Sequence, residues 1–385
     1  MKSNIAKSLE KDATLAVQEI KKQLAEVQNI RCIMFFASYL YDANALATAL
    51  EEHFPDIECF GTSSNKEIIP NGTILSGSLV ALALTSDLIE DFHIEVVENL
   101  SSNADIKDTI EGFENYYGAS LYNLSPQKYF GLSFMDFNSK AEEQLYDKLG
   151  EYSNIVFLGG TAADDWFFQH TGIYAKGKYH RDAAVLVLFK SKLKFGFEKI
   201  ETAVEVGKPL TVTKSDMTSK ILYEIDGRPA AEVYCEVNGL DYATLSKVRD
   251  SNGIHTEFRR HPLGIYIEGE RFLRDVFFIN EADNSLVMIC NIHEGLPVHF
   301  YRIDNIVENT RSQLENIRKK YKNIYGMLTL LCSNMYEDVK RETNVEEYSS
   351  LYGDIDCVGF CTYGEYYTVP VNHTTTVLVW EKPLG

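Results

Sequence analysis

The chain has 385 residues, 45% apolar and 24% charged, the balance of an ordinary globular protein with more chain than one core usually serves. Its formal net charge of −19 argues against a nucleic-acid ligand, whose phosphates would be repelled, and equally against an anionic membrane surface. No apolar run is long enough to span a bilayer, and Met1–Leu24 carries charges throughout, so no secretory signal is expected and the location reads as cytoplasmic. Seven cysteines, most of them in apolar strand-like runs such as Arg31–Phe36, read as reduced buried thiols.

In chain order, Ala13–Gln28 places Leu15, Ile20, Leu24 and Val27 at helical spacing and predicts an amphipathic helix. Ile30–Ser38 is an apolar run of strand length. Asp42 can cap a helix through Leu46 and Leu50 that closes at Pro55. A strand Ile57–Phe60 leads into Gly61-Thr-Ser-Ser-Asn-Lys-Glu67, a turn at Asn71-Gly72, and a return strand Ser78–Leu84. The order then recurs: strand Tyr129–Met135, helix Lys140–Leu149, strand Asn154–Leu158, loop Gly159-Gly-Thr-Ala-Ala-Asp-Asp165, return strand Ala183–Phe189. Aligning Gly61-Thr62 with Gly160-Thr161 also aligns Phe35 with Phe134 without a gap. A third occurrence runs from strand Met327–Cys332 through a helix within Asp338–Leu351 and strand Asp356–Phe360 to Cys361-Thr-Tyr-Gly-Glu365, with Thr374–Trp380 returning.

Between the second and third occurrences, Lys208–Thr213 reads as a strand and Ser215–Tyr223 as a helix. Asp226-Gly-Arg-Pro-Ala230 reads as a turn opening a helix at the proline. Arg271–Asn280 and Ser285–Ile292 flank a hairpin turn at 281–284, and Ile303–Tyr321 reads as a charged amphipathic helix. The fold class is therefore mixed α+β (α/β), with two domains of mixed sheets flanked by helices around a recurring strand–helix–strand–loop–strand unit. The expected division is an N-terminal helix over 1–29, a first domain over 30–225 and a second over 226–385.

Loops at the carboxyl ends of strands are favoured ligand positions in open sheets. Here Thr62, Ser63, Ser64, Thr161 and Thr362 bring hydroxyls, and Glu67, Asp164, Asp165 and Glu365 bring carboxylates. Such a set suits a polar zwitterion, its amine met by an acid. Any one of these loops, taken alone, reads as a helix cap or turn. The chain has no phosphate-binding Gly-rich motif, no Gly-x-Ser-x-Gly elbow and no His/Cys spacing for zinc. No catalytic residue or metal ligand is expected. A cofactor is not required, although haem needs only one axial His in an apolar pocket.

The order Phe35-Phe-Ala-Ser38, Gly61–Glu67, Gly159–Asp165, Asp226–Ala230, His261-Pro-Leu-Gly264, Glu294-Gly295, Gly359–Glu365 and Asn372-His-Thr374 resembles the FIST family, bacterial sensory proteins with paired N- and C-terminal FIST domains. The resemblance covers nearly the whole chain from about residue 30. It implies an intracellular signal-input protein that binds a small molecule such as an amino acid and acts through a separate partner. Some relatives of this kind are haem-binding nitric-oxide sensors that regulate a histidine kinase, which is the alternative reading. A hydrolase with a spatially assembled site is a weaker one. The resemblance adds Gly160, Tyr363, Asn372 and His373 to the expected ligand surface. The chain departs from the family's pattern at Thr62 and Asn65-Lys66, where a Cys-Ser-Thr-x-Gly-Glu run is common, and at Ser333-Asn-Met335, where an Arg often stands.

Overall fold

A computed structural model describes residues 1, 4–102, 104–247 and 255–383. In chain order the first segment holds β1 (Ile5–Ser8), α1 (Ala13–Leu24), β2 (Ile30–Ser38), α2 (Ala43–His53), β3 (Glu58–Ser64), β4 (Glu67–Ile69), β5 (Thr73–Leu75) and β6 (Leu79–Thr85). There follow β7 (Ile89–Glu98), α3 (Lys107–Tyr117), β8 (Tyr129–Met135), α4 (Glu142–Tyr152), β9 (Phe157–Thr161), β10 (Ile173–Ala175), β11 (Lys178–His180), β12 (Ala183–Ser191) and β13 (Lys194–Glu201). The middle segment is β14 (Ala203–Asp216), β15 (Ile221–Ile225), β16 (Arg228–Pro229), α5 (Ala230–Asn238), α6 (Tyr242–Leu245), α7 (Thr256–Arg260), β17 (Leu263–Ile267), β18 (Glu270–Arg274), β19 (Val276–Asn280), β20 (Ser285–Met288) and β21 (Pro297–Ile303). The last is α8 (Ile306–Lys320), β22 (Ile324–Cys332), α9 (Ser333–Glu342), α10 (Val345–Ser350), β23 (Cys357–Thr362), β24 (Glu365–Tyr367), β25 (Val369–Val371) and β26 (Thr374–Glu381).

Helix starts follow local chemistry. Asp12 and Asp42 accept the Leu15 and Ala45 backbone N–H groups at 3.0 and 2.8 Å, capping α1 and α2. The chain condenses into two compact units. The first gathers Met1–Ile200, Arg311–Pro370 and Thr375–Gly385, and the second Glu201–Thr310 with Val371–Thr374. All three predicted recurrences thus fold in the first unit.

That unit contains three six-stranded mixed sheets, ordered β1-β6-β2-β3-β10-β11, β7-β12-β8-β9-β24-β25 and β13-β26-β22-β23-β4-β5. Each centres on a parallel pair (β2/β3, β8/β9, β22/β23) joined through one helix or, in the third, two, with the return strand antiparallel on one side. On the other side sits a borrowed hairpin. The first repeat gives β4-β5 to the third sheet, the third gives β24-β25 to the second, and the second gives β10-β11 to the first. The exchange closes a ring, so each repeat completes a neighbour's sheet rather than its own.

The register defines the true equivalence. Gly61 faces Phe35, Gly159 faces Ser133 and Gly359 faces Thr329. A Cβ at these glycines would lie 2.0, 2.0 and 1.7 Å from the facing carbonyl oxygen, so in each repeat only glycine allows the two central strands to close. The sequence alignment of Gly61 with Gly160 is therefore one residue out, and a one-residue slip reverses the face. Side chains such as Phe36, Phe134 and Phe360 turn into a core shared by the three repeats. Their rings form a triangle, with centroids 4.8 to 5.8 Å apart. The opposite faces pack on helices, Phe35 and Ile33 against α1 and α2, and Phe157 and Met135 among residues of α3 and α4. Burial of each such side chain contributes roughly 1.5–3 kcal/mol.

The second unit corrects one expectation. Ser215–Tyr223 is no helix: β14 and β15 pair antiparallel, and the Asp216 carboxylate accepts Thr218 and Ser219 N–H groups to turn the chain. Pairing of β15 with β20 outweighs local helical spacing. The hairpin turn at 281–284 forms as expected, with Asn280 facing Ser285. The proline Pro229 sits at the cap of α5.

Candidate functional site

The three loops meet. The last rung of each borrowed hairpin joins one loop to the next: Ser63 N–H donates to Gly172 O at 3.0 Å, Thr161 N–H to Gly364 O at 2.9 Å, and Cys361 N–H to Lys66 O at 2.9 Å. Ala163 N–H also donates to Ser63 O at 3.1 Å. Thr362 Oγ1 lies 2.8 Å from the Thr161 carbonyl, and a Cβ on Gly160 would collide with Thr362, so Gly160 lets these loops touch.

Strand alternation separates the threonines. Thr62 and Thr362 lie on the core face and Thr161 on the helix face, because they stand one, three and two residues beyond the equivalent glycines. Thr62 Oγ1 lies 3.3 Å from Ser63 O, and Ser63 Oγ accepts Gly172 N–H at 3.2 Å, so these hydroxyls fasten the loops. Thr161 Oγ1 is buried and makes no hydrogen bond.

The carboxylates take different roles. Glu67 and Glu365 are repeat-equivalent, since each follows the residue whose carbonyl closes the rung, and both are buried. Glu67 accepts from Ser64 Oγ and Ser78 Oγ at 2.5 Å and from Ser78 N–H at 3.2 Å. Burial pushes its pKa up to about 7, even though these donors and Lys66 pull it down. The Asp164 carboxylate accepts four consecutive backbone N–H groups, from Phe167 and Phe168 at 3.0 Å, Gln169 at 2.9 Å and His170 at 3.0 Å. The Tyr363 hydroxyl donates to it at 2.7 Å and accepts Trp166 N–H. Burial would raise the Asp164 pKa, but these donors outweigh it and hold the carboxyl below its usual range. Asp165 is exposed. The Tyr39 phenol is pushed up by burial and then by Asp165 and Asp164, and Tyr336 by burial, Cys361, Glu337 and Asp165. Lys66 Nζ stands 5.9 Å over the Tyr336 ring.

Sequence reasoning missed the aromatic half of this region. Trp166 and Phe168 adopt positive φ (64° and 56°), which bulky residues rarely do, and the rings of Trp166, Phe168, Phe137 and Tyr363 cluster, Phe137 stacked on Phe168 and the rest edge-on or tilted. The run Trp166-Phe-Phe168 directly after two aspartates was the available signal. Asn372 and His373 fall in the second unit. There Asn372 Oδ1 accepts Asp275 N–H at 3.1 Å, and His373 Nδ1 lies 3.9 Å from Asp275. Burial, with Arg259 and Arg260 nearby, lowers the His373 pKa to about 3.

Imidazoles elsewhere serve ion pairs and caps. His93, His180 and His299 bond Glu95, Glu98 and Glu205, His261 bonds Glu257 O, and His255 caps α7. The polar partners of these five rings occupy a ring nitrogen of each. Among the described residues no three His, Cys, Asp or Glu side chains gather as metal ligands would. None of the seven cysteines is in a disulfide, and six of them are buried.

The fold and loops define a mixed α+β protein in which a cyclic array of three exchanged repeats gathers its loops at one point. The chain belongs to the FIST family: the FIST N domain matches residues 31–228 and the FIST C domain residues 230–368. The first match holds two repeats, and the second holds most of the second unit and the third repeat from β22 through β24. FIST domains are associated with signal transduction and sensing. The chain is similar to an uncharacterized protein of Methanocaldococcus jannaschii, 28% identical over 270 residues, which is 62% of this chain. It spans about half the length of that curated relative (50%). No helix among the described residues is long and apolar enough to cross a membrane.

Proposed function

We propose that the protein is a signal-input module whose gathered loops in the first unit bind a small polar, amino-acid-like ligand, with output through a separate partner. The observation that supports this most is the unspent chemistry beside the three rungs. Thr161 keeps a buried hydroxyl without a partner, Asp165 is exposed, and among the described residues the hydrogen-bond acceptor of Lys66 Nζ is the Asn65 carbonyl, at 2.9 Å. An unpaired buried hydroxyl is costly unless something else completes it. Asp165 suits an amine and Lys66 a carboxylate, while Glu67 and Asp164 hold the loops that carry them.

The test is thermal denaturation with each free amino acid and small amine as probe. A ligand at a hundred times its dissociation constant stabilises by about 2.7 kcal/mol, a rise of roughly 2–4 °C for a protein of this size. Asp165→Ala should remove that rise without lowering the unliganded melting temperature. No response to any probe, or an unchanged response in the variant, would overturn the assignment.

A further inference from the structure

We infer that the surface formed by Leu9, Leu40, Tyr39 and Phe167 in the first unit is a docking site for a cationic amphipathic segment of a partner protein. Leu9, Leu40 and Phe167 are 60, 68 and 55% exposed, high for large apolar side chains. They are neighbours. The Tyr41 hydroxyl donates to Glu10 O at 2.6 Å, which brings the segment after Leu9 against the segment holding Leu40. The adjacent Tyr39 ring lies 6.0 Å from Phe167 and 6.4 Å from His170.

Phe167 is held in water deliberately. The residues on either side of it, Trp166 and Phe168, take positive φ, and Asp164 fixes the loop with four hydrogen bonds. Backbone strain of this kind is costly and persists only where the surroundings over-determine it. A rigid, preformed apolar anchor is what a docking surface needs.

Charge selects the occupant. Glu10, Asp12 and Asp42, close in sequence to Leu9 and Leu40, are exposed and outnumber the exposed Lys11 there, and the exposed Asp165 acts on Tyr39, on a chain of net charge −19. A second copy related by a twofold axis would set like charges face to face, and an anionic lipid surface would be repelled. Apolar side chains flanked by Lys or Arg answer both the leucines and the acids. The inference rests on the reading that output passes through a separate protein; its apolar anchors Leu9, Leu40 and Phe167 are distinct from the ligand groups Thr161, Asp165 and Lys66, although Asp165 acts on the Tyr39 phenol at the edge of the surface.

The experiment is an anisotropy titration of the full chain with a fluorescein-labelled amphipathic helix of about 18 Leu and Lys residues, at roughly 0.15 M salt. Saturable binding is expected, weakened about tenfold or more in Leu40→Ser/Phe167→Ser, as the loss of one or two buried apolar contacts implies. Asp42→Asn should weaken it and flatten its salt dependence, and a Leu and Glu peptide of the same pattern should not bind. Leu9→Ser serves as a second probe if the double variant melts early. Equal affinity of wild type and variants overturns the proposal. So does a wild-type dimer in sedimentation velocity that the double variant dissolves, or binding to phosphatidylglycerol vesicles that the double variant loses. The thermal response to amino acids, measured on the same variants, shows whether the ligand reading fails with it or survives.

Discussion

Replacing Asp164 by Asn should cost about 3 kcal/mol at neutral pH. The side chain takes four backbone N–H groups at 2.9 to 3.0 Å and the Tyr363 hydroxyl at 2.7 Å. A hydrogen bond to a charged group is worth roughly 1.5–3 kcal/mol net, so four would approach 6 or more. Gln169 and His170 are exposed, however, and water replaces part of what they lose, so about half of that sum is expected. Asparagine keeps one acceptor oxygen and turns an NH₂ group toward two of the donors. The folded-state pKa of Asp164 is depressed. Its stabilisation is therefore complete above the unfolded carboxyl value near 3.9 and is lost as pH falls through the lower folded value. Urea unfolding followed by tryptophan fluorescence suits the test, because Trp166 lies in the loop and Trp380 in the first unit's core. The wild-type advantage should hold at pH 7 and narrow toward pH 3. A difference below about 0.5 kcal/mol, or one independent of pH, would refute this account of the loop.

Gly359→Ala should destabilise the first unit by more than about 3 kcal/mol or prevent folding, since the new Cβ meets Thr329 O at 1.7 Å; a melting temperature near that of wild type would show that the paired strands separate freely. Thr161→Val should leave unliganded stability unchanged or raise it by about 1 kcal/mol, its hydroxyl being unpartnered, while weakening any amino-acid-induced shift. Glu67 has a raised folded pKa of about 7. Its contribution is largest below the unfolded value near 4.3 and fades as pH rises to about 7. Glu67→Gln should therefore flatten the decline of tryptophan-detected stability between those pH values. His373 behaves in the opposite sense, because its folded pKa is lowered to about 3. Second-unit stability should be complete above the unfolded value near 6.5 and fall on acidification below it, as hydrogen exchange of β17–β21 amides would show.

The sequence by itself determined the local pieces. Apolar runs of strand length, Asp42 before a helical period and the turn at Asn71-Gly72 are short-range features, and the structure places elements at each. The threefold recurrence was readable for the same reason. A helix, α10, lies within Asp338–Leu351 as expected, but α9 precedes it from Ser333, because the chain turns directly from β22 into buried positions at Asn334 and Met335 that helical spacing does not reveal. Ser215–Tyr223 likewise satisfied a helical spacing and became a hairpin, since its partner β20 lies some sixty residues away in the chain.

Tertiary structure decided everything that depends on pairing between repeats. Nothing local distinguishes a hairpin that folds back on its own sheet from one that completes a neighbour's, so the cyclic exchange was not legible. Nor was the glycine equivalence: Gly159 and Gly160 are indistinguishable in sequence, and only the approach of the Ser133 carbonyl selects Gly159. That single-residue choice sets which face Thr161 presents. It separates the unpartnered Thr161 hydroxyl from the threonines that fasten the loops.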